Sequence, residues 1–527
     1  MSSDMKTKIS TAIIFLILSS ACSAQQEVQR VISYSSPLFT SDLKADHSGN
    51  ILCSFTDQQA GVFIPGILKL DTSFNILWAC EQQFPNDAVQ GGFDVTQDNG
   101  LIVISSYHDS SLHEFGLISR LDSLGHVLWS RIAHSDYSSA PLSAVAAMPS
   151  GDFLICGEEG FTTTVIMKVD NAGNILWKER ISALGFIVGD QIERANDDGY
   201  YISGFVTDSS LQFDGLVMKI DSNGQVLWAN NFSEGKDCYA SSFETGNDSS
   251  YYFTLTSVGY YGSDDTVVLV KAISNVGIPY LNVYYHPNAE QYFNSIALEG
   301  NGNVLVAGQS YDSLQINPTW NFTLAEFSPP VGLLNGSFQF DAGYQETSPK
   351  ILVLPGGSVV MAGWTYAEDP DSSRIYFIKG ALSSGNSCNE SDYTLIAPPS
   401  SFVSRANVNV SISSSSFTLD SVSVPNSFII PSVQTLCNSI GIEAVKNDET
   451  FSVFPNPVQD EFTIQLPDIA DDTYSIRLLD ATGRIVRTQT LIKTTTFTVR
   501  RNHLPAGIYL LEIKTSDKEF KTKIILE

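Results

Sequence analysis

Between the N-terminal apolar segment and residue 385, apolar positions come in short β-branched and aromatic runs bounded by Gly, Asp, Asn and Ser, and no stretch sustains a 3.6-residue apolar period. Such runs predict strands and no helices. They recur in register. A Gly-led run stands at Gly49-Asn50-Ile51-Leu52, Gly100-Leu101-Ile102-Val103, Gly151-Asp152-Phe153-Leu154, Gly199-Tyr200-Tyr201-Ile202, Gly302-Asn303-Val304-Leu305 and Gly357-Ser358-Val359-Val360. One copy substitutes Asp248-Ser249-Ser250 for the glycine, ahead of Tyr251-Tyr252-Phe253. Downstream lies a second landmark, running from Leu68-Lys69-Leu70-Asp71 to Trp78, from Ser119-Arg120-Leu121-Asp122 to Trp129, from Met167-Lys168-Val169-Asp170 to Trp177 and from Met218-Lys219-Ile220-Asp221 to Trp228. Weaker copies follow at Lys271, Glu326 and Lys379.

Seven units of about 50 residues with four strands each predict an all-β chain whose main body is a seven-bladed β-propeller. In the third unit the strands, a to d from the axis outward, are expected at Ser143–Met148, Asp152–Cys156, Thr164–Val169 and Asn174–Lys178. The c–d turn Asp170-Asn171-Ala172-Gly173 reads as structural, since Asp accepts backbone hydrogen bonds and Gly supplies positive φ. Calcium binding there is disfavoured, because the loop lacks the spaced carboxylates of an EF-hand. The tryptophan is expected to wedge between blades. Its Asp-x-x-Gly-x-x-x-Trp pattern resembles the tryptophan-docking repeats of quinoprotein propellers, with one residue fewer between Asp and Gly, and differs from the sialidase Asp-box. Neither family's catalytic set maps onto these residues. The last unit has no outer strand after Lys379, whereas Gln29-Arg30-Val31-Ile32-Ser33-Tyr34 is a spare strand at the start, so the N-terminus is expected to complete the seventh blade.

From residue 442 the grammar changes. Pro455-Asn456-Pro457, then Leu479-Asp480-Ala481-Thr482-Gly483-Arg484, then Leu504-Pro505-Ala506-Gly507-Ile508-Tyr509 stand in that order. In order and spacing they resemble the type A C-terminal sorting domains of type IX secretion, as found on secreted Bacteroidetes-type propeller proteins. The resemblance implies a sorting role for Pro455, Asn456, Pro457, Asp480, Gly483, Leu504, Pro505, Gly507 and Tyr509, and the secretion machinery as partner of residues 442–527. It also implies a product released or joined to the outer cell surface. Tyr474–Leu478 and Ile508–Ile513 have the composition of strands in a small Ig-like sandwich, and Asp480-Ala481-Thr482-Gly483 that of a hairpin turn.

Charge narrows the partners. With 29 Lys+Arg against 57 Asp+Glu the net charge is −28, nearly all of it upstream of residue 443. Such a surface repels nucleic acid and anionic lipid. Lys6 and Lys8 precede the apolar run Ala12–Leu18 and small residues up to Ala24, the plan of a signal peptide over residues 1–24; a lipidated Cys22 is the competing reading, opposed by Ser19 where the lipobox wants an aliphatic residue. No other segment is long and apolar enough to span a bilayer. Cys53, Cys80 and Cys156 fall inside strand patterns and read as buried small hydrophobes, whereas Cys388 and Cys437 bracket a Ser-rich segment, 386–441, that reads as a linker or hairpin which a disulfide between them would tie down. The remaining divisions are then the propeller over 25–385 and the sorting domain over 442–527.

No nucleophile motif, zinc helix or phosphate loop is present, and no metal or cofactor is implied. The His108/His113 pair reads as solvated. In a four-stranded meander the b–c loops share one face with the d–a loops, and here they carry Tyr107, His108, Glu158, Glu159, Asp208, Tyr260, Tyr261, Asp264, Asp265, Tyr311, Trp320, Trp364 and Tyr366. Rings beside acids suit sugar faces, so the expected binding set is Tyr107, His108, Tyr260, Tyr261, Tyr311, Trp320, Trp364 and Tyr366. Two functions remain open: a non-enzymatic binding or adhesion module for a glycan or surface protein, or a secreted polysaccharide hydrolase or lyase with acids dispersed among blades.

Overall fold

A computed structural model describes residues 28–526 apart from short stretches, the longest being 258–266, 274–279, 313–318, 367–372, 381–389, 396–403, 439–451 and 466–473. Residues 1–27, with the expected signal peptide, and Tyr260, Tyr261, Asp208, Asp264, Asp265 and Cys388 lie outside the described residues. The chain forms two units, Met1–Ser439 and Ile440–Glu527.

The first unit holds, among the described residues, seven antiparallel meanders of four strands. The third runs Leu142–Ala147, Phe153–Glu159, Thr163–Val169 and Ile175–Ser182, within a residue or two of the expected starts. Strands b and d run on past the apolar core that marks them in sequence, because backbone pairing continues into polar residues such as Glu158–Thr164. Seven apolar clusters fill the propeller, each made by residues of two neighbouring blades.

The repeated Asp and Trp do what sterics and hydrogen bonding ask of them. Asp170 Oδ1 accepts the amides of Ala172 and Asn174 at 2.9 and 2.8 Å, closing the c–d turn, and Asp71, Asp122 and Asp221 repeat the arrangement. Trp78, Trp129 and Trp177 then sit on the turn of the next blade. Trp78 Nε1 donates to Ser123 O at 3.2 Å and Trp129 Nε1 to Asn171 O at 2.9 Å. Gly224, at φ +84°, lies so close under Trp177 that a Cβ would stand 2.5 Å from the ring. Glycine is required there both for its backbone and for its lack of a side chain.

Closure follows the sequence expectation: Val28–Ser33 pairs antiparallel with Arg374–Gly380 as outer strand of the seventh sheet. It is not the edge. Ser432–Asn438 pairs along its other side. This corrects the reading of 386–441 as a linker or hairpin, because the segment runs around the propeller against blade order and adds a fifth strand to six sheets. Glu390–Asp392 joins the sixth, Ser404–Asn407 the fourth, Ser411–Ser414 the third, Thr418–Val422 the second, Asn426–Phe428 the first and Ser432–Asn438 the seventh. Its short polar strands carry little alternating signal, since they are held mainly by backbone pairing. Cys437 therefore stands opposite Gln29 in this outermost strand, and its pairing with Cys388 concerns a residue outside the described set. Cys53, Cys80 and Cys156 are buried free thiols, and burial pushes Cys80 and Cys156 up to about 12.

In the second unit Ser452–Phe454, Glu461–Gln465 and Thr496–Arg500 form one sheet, and Ile485–Ile492, Tyr474–Asp480, Gly507–Lys514 and Glu519–Leu526 another. Phe462, Ile464 and Val499 of the first meet Ile476, Leu478, Leu511, Ile513 and Ile524 of the second in one core.

Candidate functional site

Of the rings expected on the b–c face, Tyr311, Trp320, Trp364 and Tyr366 are described near one another, at strand ends rather than on free loops. Tyr311 and Trp320 are register partners across strands b and c of blade 6, with centroids 5.4 Å apart, and Tyr292 stands 5.6 Å from Trp320. On blade 7 Trp364 and Tyr366 lie two residues apart on one strand and stack at 5.2 Å, while Phe39 of blade 1 meets Trp364 edge-on at 5.1 Å. Gln345 joins the two groups: its Oε1 accepts the Trp320 amide at 2.9 Å, and its backbone pairs opposite Tyr366. A stripe of half-buried aromatic side chains thus crosses blades 6, 7 and 1. Arg374 stands 6.0 Å over the Tyr344 ring on the same blade.

Among the described residues, the remaining expected ones lie apart from this group. Tyr107 packs 6.4 Å from Phe84 at the end of blade 2, and His108 follows it. His113 is a turn residue whose Nδ1 is 3.3 Å from Asp109 Oδ2. Glu159 is buried, accepting hydrogen bonds from Ser416, so the encircling segment removes it from the face. No group of three or more His, Cys, Asp or Glu among the described residues is placed to hold a metal ion.

Sequence reasoning missed the axial channel. The seven inner strands enclose a cavity of about 470 Å³ whose charged lining is Asp42, Lys44, Asp190, Glu193, Glu244 and Lys350. Every inner strand is bulged at the same level, between Thr40/Asp42, Gln90/Phe93, Leu142/Ala144, Gly189/Gln191, Ala240/Ser242, Phe293/Ser295 and Thr347/Lys350. The extra residue re-aims a side chain across the seam: Ser41 Oγ donates to Gln90 O at 3.1 Å, Ser143 Oγ to Gly189 O at 2.6 Å and Ser241 Oγ to Phe293 O at 3.2 Å. A signal existed in the small polar residue that breaks several inner-strand apolar patterns.

Lys44 bridges to Asp94 on the neighbouring blade at 3.1 Å. Burial pushes the half-buried Glu193 from its ordinary 4.5 up to about 7, and burial with the Glu193 charge nearby raises Glu244 to about 8, whereas Asp190 is exposed. A raised carboxyl binds its proton more tightly in the folded than in the unfolded chain. Its stabilising contribution is therefore full below about pH 4 and lost as pH rises to about 7. Glu193→Gln is expected to melt higher than wild type at pH 7.5 and alike at pH 4; equal melting temperatures at both would refute the placement.

In the second unit the motif residues hold strand ends together. Asn456 donates from Nδ2 to Lys523 O at 2.8 Å and accepts the Ile525 amide on Oδ1 at 2.9 Å, clamping the last strand. Asp480 accepts the Arg484 amide at 3.1 Å and its Nε at 3.0 Å across the hairpin turn, and Tyr509 Oη donates to Pro505 O at 2.9 Å. Leu504 packs on the core, while Pro455, Pro457 and Gly483 lie outside the described residues. Residues 452–527 match the family model described as "Secretion system C-terminal sorting domain". This unit is a type IX secretion sorting domain. The sorting domain marks the protein as secreted or displayed on the outer cell surface. No helix among the described residues is long and apolar enough to cross a membrane.

No curated protein matches the sequence. Solved structures similar to this chain include a protein of unknown function from Dyadobacter fermentans (TM-score 0.41, 9% identity, 68% of this chain and 100% of that one). Others are the β-propeller domain of the trilobed protease of Pyrococcus furiosus (0.36, 10%, 67% and 95%) and NanB with Optactamide (0.35, 8%, 67% and 70%). The β-propeller assignment rests on the sheet topology above, and these likenesses add nothing about activity.

Proposed function

We propose that the protein is an exported binding module that holds a glycan on the b–c face of its propeller. The observation that carries this reading is the continuous stripe Tyr311, Trp320, Gln345, Tyr366 and Trp364 across blades 6 and 7. Half-exposed rings present apolar faces to sugar C–H groups, and the amide between them offers a hydrogen bond. The stripe belongs to rigid strand ends, so little order is lost on binding. With a net charge of −28, a neutral rather than an acidic glycan fits the surface.

Trp364→Ala and Trp320→Ala are each expected to weaken glycan binding roughly tenfold, the scale of one lost ring contact with its buried area. Melting temperature checks that the fold is kept. Full binding by both variants would move the site elsewhere. A reducing-end release assay on wild type runs beside it, and release would turn the reading to a polysaccharide-cleaving enzyme.

A further inference from the structure

We propose that Glu390–Asp392, with Tyr393 and Leu395, and the residues from Ser404 to Asn438 form a strap that locks the closed ring, peeling as one cooperative unit before the ring can open. The inference is independent of what the b–c face binds.

Geometry supplies the argument. The propeller's weak point is the strand Val28–Ser33, which closes the ring by pairing with the opposite end of the blade sequence. An edge strand can fray singly. Here Ser432–Asn438 covers it, with Ser33 Oγ and Ser432 Oγ 2.8 Å apart, so the closing strand is internal to its sheet and must shed two neighbours to leave.

The strap also pins the seams. Five of the seven interblade clusters take an apolar residue from it. Tyr393 and Leu395 join the cluster of blades 5 and 6, Val408 packs on that of blades 3 and 4, and Phe417 enters that of blades 2 and 3. Ile429 reaches the cluster of blades 7 and 1, and Leu436 packs on that of blades 6 and 7. Between these points the described residues of the strap are largely exposed, every residue of Ser411–Ser414 included. Its hold therefore resides in a few buried plugs and a line of backbone hydrogen bonds, and loss of one plug transmits along the strand. Asp136, Lys178 and Glu159 add polar anchors beside Phe417 through Ser416 N and Oγ and the Phe417 carbonyl. From Ser404 onward the strap's pairings join residues 171 (Ser233 to Ser404) to 410 (Val28 to Asn438) apart in sequence, so in this proposal the strap acts on the opening of the ring more than on its closure. Outside the cell that opening rate sets survival against proteolysis.

Native-state hydrogen exchange on the full chain tests this. Amides of 404–438 should exchange together through one sub-global opening at denaturant concentrations where blade amides stay protected, and amides of 28–33 should never precede those of 432–438. Phe417→Ala should speed strap exchange on the order of a hundredfold, the scale of a buried ring lost, and leave the innermost strands of the blades unaffected. Should Phe417→Ala fail to fold, Ser33→Cys/Ser432→Cys provides the second arm: oxidation should suppress the opening and reduction restore it. Strap amides that exchange only with the blades, that exchange independently of one another, or that ignore the cross-link would overturn the proposal.

Discussion

A chain that stops at Gly441, without residues 442–527, is expected to fold its propeller and to remain in the periplasm. The first half of the expectation comes from the boundary between the two units: the strap completes its last strand at Asn438, and all its described pairings lie within Met1–Ser439. Nothing the propeller core uses is removed by the truncation. The second half comes from the sorting domain itself, whose last strand is clamped by Asn456 and paired with Gly507–Lys514, so removal of the unit deletes the export signal whole. Cell fractionation and surface proteolysis check delivery, and circular dichroism of the retained protein checks folding. Normal surface delivery of the truncated chain would contradict the sorting role. A cut at Gly385 is a different experiment, because it strips the fifth strand from six sheets and exposes their outer edges.

Lys69→Met is expected to cost about 3–5 kcal/mol, the penalty of leaving one buried charge without its partner. Asp46 and Lys69 are 3% and 7% exposed, and Lys69 Nζ lies 2.8 Å from Asp46 Oδ2. Burial alone would raise the Asp46 carboxyl, but hydrogen bonds from Lys69 and Asn50 outweigh it and hold the group below its ordinary 3.8. A depressed carboxyl contributes its stability above that value and loses it as pH falls further. The pair is one of a series: Asp98 with Arg120 at 2.7 Å, Asp152 with Lys168 at 2.9 Å and Asp197 with Lys219 at 2.6 Å link the a–b turn to strand c in successive blades. In blade 6 the roles reverse, as Asn303 Nδ2 donates to Glu326. Guanidinium unfolding at pH 7 measures the loss, and a change below about 1 kcal/mol would show that water reaches the pair.

The sequence by itself determined the all-β class, the repeat, the strand order within each blade, the closure by the N-terminal strand and the sorting domain. Each rests on local chemistry that repeats or keeps its spacing: Asp and Gly in the turn, Lys or Arg two residues before the Asp, Trp seven residues after it, and the ordered motifs around Asn456, Asp480 and Tyr509. Only the tertiary structure decided the course of the described strands between Glu390 and Asn438, because their pairing uses backbone groups against strands as many as 410 residues away (Val28 to Asn438) and leaves little side-chain pattern to read. The same holds for the channel, whose Lys44, Glu193 and Glu244 come from three blades and acquire a shared environment only when the ring closes. It holds again for Trp320 and Tyr366, single aromatic residues in sequence that become one stripe because Gln345 of the next blade stands between them.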